Sequence, residues 1–206
     1  MNNEKTEAEI KYSHITSLPG IVLPANSCDC HHHIFDRRYP YAPDDKRNLP
    51  AATVSDYRAF KHWLGFTRHV LVQPSSYGAD NRCLLYALKS FGPVARGEAV
   101  VTDTVSDAEL DCLAAAGVTG IRFNFGAGSI TTPEMLMPLA ARVAERGWHV
   151  QIHATADQLK IHLQVGVPAV HDIPGIGIIA GALSPLFGRQ LTDNRLTVWA
   201  DFFGRG

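Results

Sequence analysis

Residues 28–43 read CDCHHHIFDRRYPYAP. In an α/β chain, the residues after the first apolar run separate the architectures open to it. A dinucleotide-binding sheet needs a glycine-rich turn there, so that a phosphate can approach the backbone. This chain has instead three consecutive histidines, His31 to His33, and then a loop of charged and aromatic residues. Polar side chains gathered at the C-terminal end of a strand are what a (β/α) barrel builds its site from.

Working outward, the same pattern recurs. Short apolar runs lie at 27–35, 69–74 (HVLVQP), 98–103 (EAVVTD), 119–124 (TGIRFN) and 148–153 (WHVQIH). Between them, residues 53–65, 79–92, 106–117 and 132–147 carry apolar residues at helical three-and-four spacing. Ser106 with Glu109, and Thr131 with Glu134, have capping-box spacing. Gly65, Gly92, Gly117 and Gly147 each follow a helical run, where a left-handed residue ends a helix. Strand and helix in alternation with short loops imply parallel strands with crossover helices. The strand ends carry His31 and His33, Gln73 with Ser75 and Ser76, Asp103, Arg122 with Asn124, and Gln151 with His153. The expected fold class is therefore α/β, of the (β/α)8 barrel type.

Residues 1–20 read as a flexible polar arm, and 21–206 as one barrel domain. Beyond residue 160 the periodicity weakens. PAVHD (168–172) suits a sixth strand and LTVWADFF (196–203) a seventh. A complete barrel takes about 250 residues. The expectation is thus an incomplete barrel of about five to seven βα units.

Composition narrows the function classes. A formal net charge of -1 gives no electrostatic reason for a nucleic-acid or anionic-membrane partner. No apolar run reaches the ~20 residues of a membrane span. The first residues, MNNEKTEAEIKYSH, lack the apolar core of a signal peptide, which suggests a cytoplasmic location. Cys28 and Cys30 are too close for an easy mutual disulfide, and Cys83 and Cys112 fall in helical stretches that suit buried thiols.

Strand alternation puts Asp29, His31 and His33 on one face and Cys28, Cys30 and His32 on the other. Two imidazoles side by side make half a site for a divalent metal, or a pair of polarising donors for a substrate oxygen. Zinc needs three or four ligands, so others would come from later strands, with His153 and His171 as candidates. A zinc knuckle of Cys28, Cys30 and a histidine fits poorly, because the cysteines fall on the wrong face for His31 and His33. Histidines 14, 62, 69, 149 and 162 read as structural or solvent-facing.

Four stretches carry a resemblance: CDCHHHIFDRRYPYAP, VLVQPSSYGADN (70–81), GIRFN (120–124) and GWHVQIHA (147–154). Together they resemble the amidohydrolase-2 family of metal-dependent barrel hydrolases, in the branch that opens or rearranges lactones. The resemblance spans about residues 20–160. It implies a distorted (β/α)8 barrel and a small carboxylated lactone as substrate, of the 2-pyrone-4,6-dicarboxylate or sugar-acid type. It implies catalytic roles for His31, His33 and His153. It implies substrate contacts from Ser76, Tyr77 and Arg122; Gln73 and Asn124 read either as polar liners or as strand-end residues in structural hydrogen bonds. A guanidinium suits a carboxylate because it binds through two hydrogen bonds. Two cofactor readings stay open: zinc held by His31 and His33, with His171 as a weak further ligand, or a metal-free site.

The family pattern continues to an Asp-His strand and to a late aspartate, the expected general base. Here His171 and Asp172 come in the reverse order, and no counterpart of the late aspartate follows. A frameshifted or truncated reading frame accounts for both, and little turnover is expected of the 206-residue chain. Two rivals remain: a metal-dependent decarboxylase of the same superfamily, and a non-catalytic barrel fragment that survives by self-association through unpaired strand edges.

Overall fold

The computed structural model describes residues 20, 22–47, 49–125 and 129–155, together with two strand segments at 179–180 and 195–199. His171, Asp172 and the arm before Gly20 lie outside the described residues, as do His14 and His162. The chain divides into two units, Met1–Gly97 and Glu98–Gly206, and each is described in turn.

In the first unit, β1 (Cys28–His32) is followed by α1 (Val54–Leu64), β2 (Arg68–Val72) and α2 (Arg82–Phe91). Strand β3 (Ala95–Ala99) carries the chain across the boundary. Thr53 caps α1 in a full capping box with Asp56, and Gly65 closes the helix at φ 86°, where an L side chain would be strained. On α2 the buried residues are Cys83, Leu84, Ala87 and Leu88, one stripe of the helix. With Ile34, Leu71 and Val72 they form this unit's core, and each fully buried aliphatic side chain contributes about 1.5–3 kcal/mol.

β1 and β2 are parallel, but their register is irregular. Asp29 pairs with His69, whereas His32 pairs with Leu71, so three steps on β1 oppose two on β2. This bulge breaks the expected alternation. Asp29 is carried to the side of His32, where its Oδ2 accepts a 2.9 Å hydrogen bond from the Tyr57 hydroxyl of α1. The placement of Asp29 with His31 and His33 is therefore corrected.

In the second unit, α3 (Asp107–Ala115) leads to β4 (Val118–Asn124), α4 (Leu136–Ala144) and β5 (His149–Thr155). The Ser106–Glu109 capping box forms as expected. The Thr131–Glu134 box does not: the Thr131 hydroxyl accepts from the Asn124 amide at 2.9 Å and donates to the Asn124 carbonyl at 3.0 Å. A buried hydroxyl beside a strand end satisfies that strand's backbone instead of a helix. On α4, Leu136, Leu139, Ala140 and Val143 are buried at helical spacing. Cys112 is exposed, contrary to the expectation of a buried thiol, whereas Cys83 is buried.

β4 and β5 run parallel in unbroken register from Gly120↔His149 to Asn124↔His153. Paired residues of parallel strands point the same way, so Gly120, Arg122 and Asn124 share one face with His149, Gln151 and His153. The buried residues Ile121, Phe123 and Val150 occupy the other.

Two expectations are corrected. The third strand begins at Ala95 rather than Glu98, directly after the short helical turn Gly92–Val94; Val100 and Val101 are buried but lie past its end. The expected seventh strand forms as β7 (Arg195–Trp199), but it runs antiparallel to β5, with Ile152↔Val198 and His153↔Thr197. The two-residue β6 (Ile179–Ala180) pairs antiparallel with β7. An antiparallel return needs no crossover helix, so this pairing departs from the βα rhythm of the first five strands.

Candidate active site

The first unit carries the histidine pair. His31 and His33 lie edge to face, ring centroids 4.9 Å apart, with their Nε2 atoms separated by 3.4 Å. The Nδ1 of His33 is 2.8 Å from the Val72 carbonyl oxygen. A carbonyl can only accept, so Nδ1 carries the proton, and the Nε2 of neutral His33 presents a lone pair. A histidine held through one nitrogen by a backbone carbonyl, with the other nitrogen facing a second imidazole, is oriented for metal or proton chemistry.

His32 is the opposite case. It is buried, its ring stacks on Tyr57 at 3.5 Å with an interplanar angle of 5°, and its Nε2 is 2.8 Å from the Nδ1 of buried His69. Burial, reinforced by His69 and the neighbouring histidines, lowers the His32 pKa to about 2. Burial, then Lys61, lowers that of His69 to about 4. Both rings are neutral near pH 7 and belong to the helix-facing side of the sheet.

The loops after β1 and β2 are tied together. The Tyr77 hydroxyl accepts from the Asp36 amide at 2.8 Å and donates to the Asp36 carbonyl at 3.2 Å. The Ala42 amide donates to the Ser76 carbonyl at 2.7 Å. Arg47 grips Asp45 and also donates from Nη2 to Ser75 Oγ at 3.0 Å and Ser76 Oγ at 3.1 Å. The Arg47 guanidinium holds the Asp45 carboxyl down at about 2. Gln73 is fully buried and donates from Nε2 to the Asp80 carbonyl at 2.8 Å. Thus Tyr77 and Gln73 spend polar atoms on loop architecture, while Ser76 stands beside a guanidinium.

The second unit carries a polar ladder. Arg122 is buried, and its Nε donates to Asn124 Oδ1 and its Nη1 to Gln151 Oε1, both at 2.9 Å. Burial pushes the Arg122 pKa down to about 10, against the charge of Glu98. His153 is paired in register with Asn124, one rung beyond Arg122. At the other end His149 Nε2 lies 2.8 Å from Oε1 of Glu98, which is fully buried.

The structure thus brings His31 to His33, and Arg122 to Asn124 and to the strand of His153. His62 is exposed, while His69 and His149 have specific partners. Sequence reading missed Arg47 and Glu98. The DDKR run at 44–47 gave a signal for the first, as a cluster of charge in a strand-end loop. Glu98 gave one too, as an acid inside an apolar run. Among the described residues no group of three or more His, Cys, Asp or Glu is placed to hold a metal ion. His31 and His33 fit two positions of a zinc site, short of the three or four that zinc requires. Among the described residues, no helix is long and apolar enough to cross a membrane.

Comparison with known proteins places these residues in context. The family model for amidohydrolases matches residues 28–184. The chain is 41% identical over 160 residues to a 2-pyrone-4,6-dicarboxylate hydrolase of Comamonas testosteroni, covering 76% of this chain and 52% of that protein. It is 25% identical over 149 residues to a D-galactarolactone isomerase of Agrobacterium fabrum, covering 71% and 51%. Among solved structures, a probable 2-pyrone-4,6-dicarboxylic acid hydrolase from Acinetobacter baumannii with citric acid bound aligns with a TM-score of 0.60 at 28% identity, over 72% of this chain and 55% of that one. The chain spans about half the length of the curated relatives it matches.

Proposed function

Because the chain belongs to the amidohydrolase family and has the α/β fold of an incomplete (β/α) barrel, we propose that it acts as a hydrolase on a small carboxylated lactone. The reading takes residues 21–206 as one domain of that family, acting in the cytoplasm without a nucleic-acid or membrane partner, and allows for self-association. The observation that carries it is the His31–His33 pair, with His33 oriented by the Val72 carbonyl and its Nε2 turned toward His31. The curated relatives that act on a pyrone dicarboxylate and a sugar-acid lactone support the substrate class, as does citric acid, a tricarboxylate, in the solved relative.

In this reading the substrate's carbonyl oxygen is polarised by the histidine pair, which stabilises the oxyanion that develops as water adds to the carbonyl carbon and that collapses as the ring C–O bond breaks. The Nε2 of His31, when protonated, is a donor for that oxygen. Arg122, with Nε and Nη1 fixed by Asn124 and Gln151, is the residue suited to a substrate carboxylate. Ser76 adds a hydroxyl beside the Arg47 guanidinium. Tyr77 and Gln73 position the loops. His153 is the candidate for proton transfer to or from water on the Arg122 side. A divalent ion, when bound, would be held by His31 and His33 and would supply Lewis-acid polarisation of the same carbonyl; the roles of Arg122, Ser76 and His153 do not pass through it.

The test is ring opening of 2-pyrone-4,6-dicarboxylate by the purified chain. A rate far above buffer that is lost in His31→Ala supports the proposal. Failure of the chain to bind a carboxylated lactone sinks it; binding with little turnover accords with the expectation of an incomplete catalytic set.

A further inference from the structure

Glu98 is fully buried on β3, and an acid in such a place needs a reason. Its Oε1 is 2.8 Å from His149 Nε2, and its Oε2 makes no hydrogen bond among the described residues. His149 belongs to β5, so its ring must cross β4 to reach β3. It crosses at Gly120, its register partner. A Cβ built on Gly120 would lie 2.6 Å from the imidazole, closer than packed atoms tolerate. The missing side chain is therefore the notch through which the histidine reaches the acid.

The notch also fixes which way Glu98 points. Its carboxylate meets a ring lying over Gly120, and Gly120 shares its face of β4 with Arg122. Successive rungs on one face are about 7 Å apart. The buried acid thus sits one rung below the buried guanidinium, in surroundings where charges act over longer distances than in water. A buried cation is stable only near an anion. Asn124 and Gln151 hold Arg122 through neutral oxygens, and the charge of Glu98 acts on it as well.

We propose that Glu98 is a positioning residue, whose carboxylate, anchored by His149 across Gly120, holds the Arg122 guanidinium in the orientation that receives a substrate carboxylate. The last step rests on the function proposed above. The holding of Arg122 does not.

The experiment follows the Arg122 Nε–H by NMR in the full chain, its signal assigned by its loss in Arg122→Lys. Exchange with solvent is compared with that of the Trp148 indole N–H, which reports general loosening. In Glu98→Gln the Arg122 exchange rate is expected to rise at least tenfold relative to Trp148. In Glu98→Asp, which keeps the charge but withdraws it by one methylene, a rise of a few-fold is expected, and this variant decides the matter should Glu98→Gln not fold. An Arg122 rate that is unchanged, or that rises only in step with Trp148, overturns the proposal. Titration with 2-pyrone-4,6-dicarboxylate then separates the two readings. Weaker binding by folded Glu98→Gln supports the link to substrate, and tighter binding overturns it. Absence of binding by the unmodified chain defeats the substrate reading and leaves the exchange result to decide Glu98.

Discussion

His32 and His69 share a 2.8 Å hydrogen bond inside the first unit, and the outer nitrogen of each ring, His32 Nδ1 and His69 Nε2, is buried without a hydrogen-bond partner among the described residues. Two imidazoles that lie on adjacent strands and cannot reach water must stay neutral. Their depressed pKa values, about 2 and about 4, stand against an ordinary value of 6.5. The unfolded chain therefore takes up protons that the folded chain refuses.

This makes stability depend on pH in a defined window. The contribution of the two histidines is fully present above about pH 6.5 and is lost as pH falls from there through the folded value of His69, about 4. Paired aspartates such as Asp45, with an ordinary value of 3.8, add to acid unfolding only lower down. Urea midpoints measured between pH 7.5 and 4.5 are expected to fall steadily below pH 6.5. In His69→Phe that slope is expected to flatten; an unchanged slope would mean that other groups carry the effect.

Gly120→Ala tests the notch. The new methyl would meet the His149 ring at 2.6 Å, and overpacking of this kind costs about 1–3 kcal/mol. A lower urea midpoint is expected, partly restored by His149→Ala in the same chain. Equal midpoints for Gly120→Ala and the unmodified protein would show that the ring moves aside freely.

Thr131→Val keeps the shape of the side chain and removes the hydroxyl that serves both the amide and the carbonyl of Asn124. Leaving buried backbone groups unpaired costs about 1–3 kcal/mol each. Thermal unfolding is expected at lower temperature, with weaker binding of a carboxylated ligand, since Asn124 orients Arg122. A stable variant that binds normally would contradict this.

The elements were largely legible in the sequence, because apolar periodicity and glycine-closed helices report local energetics. Helices α1 to α4 and strands β1, β2, β4 and β5 lie close to where spacing puts them, whereas β3 begins earlier, at Ala95. The Ser106–Glu109 box could be read because both partners sit three residues apart. What escaped depends on neighbours distant in sequence. The bulge between Asp29 and His32 is set by pairing with β2, and it turned Asp29 to the other face. Thr131 chose a strand end over a helix cap for the same kind of reason. The histidine pair was visible as a motif, but the tautomer of His33 depends on Val72, thirty-nine residues away. Glu98 gave a signal, an acid inside an apolar run, but its partner His149 lies fifty-one residues away.

The central proposal is that the chain binds a carboxylated lactone, for which the His31–His33 pair and Arg122 are each required. Calorimetric titration of the purified chain with 2-pyrone-4,6-dicarboxylate, alongside folded His33→Ala and Arg122→Met, tests it most directly. The account expects saturable one-to-one binding that weakens at least tenfold in each variant. Absence of binding, or binding equally tight in both variants, would contradict it.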